Sequence, residues 1–157
     1  EDGDVKLADF GYASQLTKER DARITKVGTP AWMAPELIKG ERRYDTKVDI
    51  WSFGIVAMEL TNGDPPYISE PQSRIIINIV KNKPPPIKEK WSPLFQDFVS
   101  LALTKDPKKR PSADELLEHE FLPDARDYRE EFASVVKEYK QIHEEQKAAK
   151  KLAAASK

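Results

Sequence analysis

Val5-Lys6-Leu7 alternates apolar and polar positions, the period of two that marks a half-buried strand, and the Glu-Asp-Gly-Asp before it reads as a turn. From Phe10 to Ile38 no period holds. Polar residues, Gly11, Gly28, Pro30 and Pro35 break every helical or strand pattern there. A segment that long without regular structure inside a compact domain is usually functional or disordered. From Asp45 the period changes to that of a helix. Val48, Trp51, Ile55, Met58 and Glu59 fall on one face, and Gly63 with Pro65 and Pro66 ends the helix near Asn62. Ile75, Ile76, Ile79 and Val80 form a second apolar face, stopped by Pro84-Pro85-Pro86, and Leu94, Phe95, Phe98, Val99 and Leu101 to Leu103 form a third. Ser112-Ala113-Asp114-Glu115 spells a capping box and opens a fourth helix through Leu116 and Leu117.

Past Leu122 the pattern shifts again. Tyr128, Phe132, Val135, Tyr139 and Ile142 step by four, three, four and three, one apolar stripe on a charged helix. The stripe is shorter than the three or four heptads that argue for a coiled coil, so it is expected to pack on its own domain. The Ala/Lys-rich end from Ala148 to Lys157 is expected to fray.

Length and charge bound the picture. At 157 residues the chain has room for one domain. With 26 Lys+Arg against 27 Asp+Glu, no basic excess points to nucleic acid or an anionic membrane surface. The most apolar stretch, Ile50 to Leu60, is broken by Ser52, Gly54 and Glu59 and is far short of the roughly 20 residues that span a bilayer. The absence of Cys excludes disulfides, a thiolate nucleophile and Cys-based metal centres, and it fits a reducing compartment, with a cytoplasmic location expected. Two histidines, His119 and His143, are too few for a His-rich metal site. An opening Glu-Asp-Gly-Asp with no Met and no leader is expected to belong to a longer chain.

Asp9-Phe10-Gly11 directly follows the predicted strand. A carboxylate at a strand end, followed by a glycine that lets the backbone turn, can hold a divalent ion against phosphate oxygens. Taken alone, the same three residues could equally be an Asx turn. Further along stand Gly28-Thr29-Pro30-Ala31-Trp32-Met33-Ala34-Pro35-Glu36, then Asp49-Ile50-Trp51-Ser52-Phe53-Gly54, then Pro65-Pro66-Tyr67, then Lys109-Arg110-Pro111-Ser112. In this order and spacing the sequence resembles a eukaryotic protein kinase over residues 1 to about 122. Asp9-Phe10-Gly11 is similar to the DFG motif and Ala34-Pro35-Glu36 to the APE motif, which bracket the activation segment. The Gly-Thr-Pro-x-Trp-Met-Ala-Pro-Glu spelling looks like a serine/threonine kinase of the sterile-twenty group, PAK-like members in particular.

The resemblance implies a mostly α chain, the helical C-terminal lobe of the α+β kinase fold. The N-terminal lobe and the HRD catalytic loop have no counterpart in this sequence. Domains are expected at 1–122, a partial kinase domain, and 123–157, an amphipathic helix with an Ala/Lys tail. By the same resemblance Asp9 coordinates magnesium on the phosphates of ATP, with Phe10 and Gly11 completing the cofactor motif and Phe10 a packing switch. Thr29 bonds the catalytic residues. Trp32 and Met33 shape the pocket for the residue after the acceptor, and Glu59 stands where some family members read basic residues. Thr25 is the activating phosphorylation site, with Arg20, Arg23 and Lys26 as local partners. Asp49 caps the catalytic-loop backbone, and Glu36 and Arg110 are expected to form a buried ion pair. The implied function is transfer of the ATP γ-phosphoryl group to protein Ser/Thr hydroxyls in a signalling cascade. Its partners are protein substrates and an upstream kinase or small GTPase acting through regions outside this chain. The alternative is a non-catalytic lobe that only binds substrates or partners.

Overall fold

The computed structural model describes residues 3–13, 28–40, 44–123 and 127–155. Thr25 and its local cations lie outside them. The chain divides into two compact units, residues 11–122 and residues 1–10 with 123–157.

The larger unit is helical. A short helix α1 (Pro35–Lys39) precedes the central α2 (Lys47–Asn62), followed by α3 (Gln72–Lys81), α4 (Pro93–Ala102) and α5 (Ala113–Leu117). Helix α2 ends as its sequence dictates. Gly63 takes the left-handed conformation, φ 86°, its N–H reaches the Glu59 carbonyl, and Pro65 cannot continue the helix. Helix α4 starts at Pro93 with the Ser92 hydroxyl accepting from the Phe95 N–H, and α5 starts with the complete Ser112–Glu115 capping box.

The core gathers Trp51, Ile55 and Met58 of α2, Ile75 and Ile79 of α3, and Phe98, Val99 and Ala102 of α4. Burying each large side chain contributes roughly 1.5–3 kcal/mol. Gly54 sets the approach of α4. A Cβ there would stand 2.8 Å from Leu103 Cδ2 and 3.0 Å from the Ala102 Cβ. Beside this core, Phe98 meets Phe53, His119 and Phe121 edge-on or tilted, at ring separations of 6.0, 5.3 and 5.4 Å.

Two expectations are corrected. The strand over Val5 to Ala8 does not form, and no strand forms among the described residues. Val5 and Leu7 are 78% and 86% exposed. Alternation makes a strand only where a second strand exchanges hydrogen bonds with it. The segment from Phe10 to Ile38 is not wholly irregular, since Pro35 opens α1 and Gly40 closes it with φ 71°. In the smaller unit, α6 (Arg129–Ala155) runs into the Ala/Lys-rich end, where alanine carries the highest helix propensity. Phe132 and Tyr139 of its apolar stripe are 46% and 66% exposed. The start of α6 is tied to the N-terminal residues, with Asp4 ion-paired to Arg129 and Gly3 at φ 79° lying where a Cβ would strike the Arg129 carbonyl.

Candidate active site

Gly28-Thr29-Pro30 enters a single 3-10 turn, Pro30–Trp32, that turns the chain toward α1. Gly28 has φ 144°, and a Cβ on it would come 3.1 Å from the Met33 side chain. Thr29 is exposed and its hydroxyl does not cap the turn. The turn itself is pinned from α2 at two points. The Ser52 hydroxyl donates to the Trp32 carbonyl at 2.8 Å, and the Trp32 indole N–H donates to Glu59 Oε2 at 3.1 Å. These bonds bring Trp32 and Glu59 together, with Met33 half-buried beside them.

Beyond the turn, Ala34 is fully buried and Glu36 is 3% exposed. Glu36 sits in the first turn of α1, where the helix dipole favours an anion. Arg110 meets it with two hydrogen bonds, Nη1 to Oε1 at 2.7 Å and Nη2 to Oε2 at 3.0 Å. The rest of the guanidinium is also satisfied, Nε by the Thr104 carbonyl at 2.8 Å and Nη1 by the Lys47 carbonyl at 2.7 Å. Its face lies 5.2 Å over the Trp51 ring. Lys47 Nζ closes the cluster by donating to the Arg110 carbonyl at 2.6 Å.

Asp49, third in α2, is exposed as a residue, and the protein around its carboxyl group pushes its pKa up by desolvation. Asp9 and Phe10 belong to the smaller unit and Gly11 begins the larger one. Asp9 is exposed with φ 62°, a left-handed conformation that few residues besides Gly, Asn and Asp adopt. Phe10, 66% exposed, opens a 3-10 turn to Tyr12. Among the described residues no cluster of three metal-ligating side chains exists. A lone exposed carboxylate fits magnesium, which takes few protein ligands and shares the rest with phosphate oxygens and water.

The sequence reading missed three features. The Ser52 bond to Trp32 joins α2 to a turn 20 residues earlier, and no local pattern announces it. The Glu59 bond had a signal, since an indole N–H near a core seeks an acceptor. Tyr67 holds φ 65°, a strained conformation for a bulky residue. It packs against the core, and burial first, then the Glu70 charge, raises its pKa.

The model of the protein kinase domain family matches residues 1–122. The chain is 56% identical over 126 residues to the serine/threonine-protein kinase pakB of Dictyostelium discoideum, covering 79% of this chain and 15% of pakB. It is 52% identical to pakA of the same organism over 76% of this chain and 10% of pakA, and 52% identical to its pakC over 77% and 26%. The chain thus spans at most about a quarter of the length of these three relatives. The ordered motifs, the helical lobe and these matches agree, and the chain belongs to the protein kinase domain family.

Proposed function

We propose that this chain supplies the substrate side of a serine/threonine protein kinase that moves the γ-phosphoryl group of ATP to Ser or Thr hydroxyls of protein substrates. The observation that carries the reading is the anchoring of residues 30–36, through Ser52 and Glu59 on Trp32 and through Arg110 on Glu36. Phosphoryl transfer depends on positioning, and this segment is held at both ends. Bound magnesium neutralises charge on the transferring phosphoryl group. In this reading Asp9 holds that ion, within the motif completed by Phe10 and Gly11. Thr29 offers a hydroxyl that its own turn does not use, and Trp32 and Met33 wall the place of the residue after the acceptor. Glu59 has a second carboxylate oxygen for a basic substrate residue. Asp49 caps a catalytic-loop backbone supplied by sequence outside this chain. Phosphate on Thr25 adds about −1.5 to −2 charge and orders the loop through nearby cations.

The transfer breaks the bond between γ-phosphorus and the β–γ bridging oxygen, forms a phosphoester on the substrate, and releases ADP. The hydroxyl proton goes to a base of the HRD type, which this sequence does not contain. Protein substrates, and an upstream kinase or small GTPase acting through regions outside this chain, are its partners. The Cys-free composition suits a cytoplasmic setting. Among the described residues no helix is long and apolar enough to cross a membrane.

The test compares two proteins. The 157-residue chain with Mg-ATP and a Ser/Thr peptide is expected to show no turnover. A longer kinase carrying it is expected to be active, to lose nearly all activity on Asp9→Asn with the fold intact, and to lose far more on Thr25→Ala than on Thr17→Ala. Full activity of the Asp9→Asn kinase would overturn the reading.

A further inference from the structure

We propose that α6 is a dimerisation element, pairing with α6 of a second copy of this chain as a parallel coiled coil. The proposal is independent of the kinase chemistry. It starts from a face that is open although the helix is otherwise engaged. At its start α6 is held by the N-terminal residues through Arg129, and Ala133 is buried. Val135, Tyr139 and Ile142, on another side, are 59%, 66% and 45% exposed. Several adjacent large apolar side chains along one exposed stripe mark an interaction surface rather than a solvated face.

The spacing is that of a heptad seam. With Phe132 and Tyr139 at position a, Tyr128, Val135 and Ile142 fall at d, and Gln146 and Ala149 continue the register. Charge then selects the occupant and its direction. Glu131, Glu138 and Glu145 all occupy g, while Val136, His143 and Lys150 occupy e, so two of the three g glutamates face a basic residue. In a parallel pair each g residue faces the e residue five positions on in the other helix. That places Glu145 against the partner's Lys150 and Glu138 against the partner's His143, whose ring can donate to a carboxylate. In an antiparallel pair g faces g, and carboxylate would meet carboxylate along the seam. The flanking side chains can reach the partner: the seam-side groups are exposed, Glu145 bonds within its own helix to Gln141 at 3.1 Å, and the His143 ring stacks on Tyr139 of the same helix at 6.0 Å with its edge left for a carboxylate. The seam is short and ends in small and polar residues, so the pair is weak and concentration-dependent.

Sedimentation equilibrium of the 157-residue chain is expected to show mass rising toward twice the monomer at high micromolar concentration. Glu145→Lys and Lys150→Glu should each return it toward monomer, and the two together should restore the dimer. A chain that stays monomeric throughout, or a double variant no better than the singles, overturns the proposal. Direction is read by cross-linking, because the chain has no cysteine of its own. Ile142→Cys should form a covalent dimer in a thiol–disulfide buffer at least tenfold faster than Glu144→Cys on the opposite face. Equal rates overturn the proposal. Faster pairing of Ile142→Cys with Phe132→Cys than with itself would mean an antiparallel pair and would overturn it as stated.

Discussion

Arg110 and Glu36, 74 residues apart, meet fork to fork through two direct hydrogen bonds, Nη1 on Oε1 at 2.7 Å and Nη2 on Oε2 at 3.0 Å. The pair closes the loop between the end of the activation segment and the entrance to α5. Removing one member of a buried pair typically costs about 3–5 kcal/mol, because the other is left charged and dry. That is a large share of a domain stability of roughly 5–15 kcal/mol. Arg110→Ala should cost more than Glu36→Gln, since it also strips the Thr104 and Lys47 carbonyls of their donor. Arg110→Lys should not rescue, as an ammonium cannot reproduce the fork. The double variant should lose less than the sum of the singles. Urea unfolding followed by circular dichroism checks all four.

Gly54 offers a case where two effects oppose. Alanine in a helix interior gains about 1 kcal/mol over glycine. Here its methyl would meet Leu103 Cγ at 2.9 Å and the Ala102 Cβ at 3.0 Å, neither of which is a free side-chain end. Overpacking of this kind costs about 1–3 kcal/mol. Gly54→Ala should therefore lower the melting temperature despite its better propensity. A rise would show that α2 and α4 separate at little cost.

Helices α2 to α4 were legible because each carries its own period and its own stop, as at Gly63, and α5 because the Ser112–Glu115 box announces its start. Helix α1 was not read, although Pro35 at its first position and Gly40 just past its end were a usable signal. At five residues it is too short to show a period, and the Arg110 bond to Glu36 helps hold it. The strand failed for the opposite reason, a good local pattern without a neighbour to pair with. At the site, the motifs located Trp32 and Glu59 separately. The hydrogen bond between them spans 27 residues and depends on how α2 packs, which no local pattern encodes.

Two carboxylates should give opposite pH signatures. The Ser112 backbone N–H bond first, then the Ser112 hydroxyl, holds the Glu115 pKa below its ordinary 4.5. Glu115 thus adds stability that is present above the unfolded pKa and lost as pH falls through the folded one. Burial raises the Asp49 pKa above its ordinary 3.8, so its contribution is present below that value and lost as pH rises through the folded pKa. Glu115→Gln should flatten the acid limb of the melting-temperature profile. Asp49→Asn should stabilise toward neutral pH and change little at the acid end. Ser112→Ala removes the acceptor of the Glu115 N–H and should cost about 1 kcal/mol.

Glu59 combines a proposed substrate role with an observed structural one, and the two can be separated. Its Oε2 accepts the Trp32 indole N–H at 3.1 Å, which leaves Oε1 for a basic substrate residue. Glutamine keeps a carbonyl acceptor of the same shape and loses only the charge. Alanine loses both. A hydrogen bond of this kind is worth about 1 kcal/mol, or roughly fivefold in kcat/KM if it positions Trp32. In a longer kinase carrying this chain, Glu59→Gln should match the parent on peptides without basic residues. It should lose activity only on peptides with an arginine before the acceptor. Glu59→Ala should lose about fivefold on both classes. Steady-state kinetics on paired peptides reads the result. Equal losses for glutamine and alanine on the neutral peptide would show that charge on Glu59, rather than its bond to Trp32, sets the position of the substrate wall.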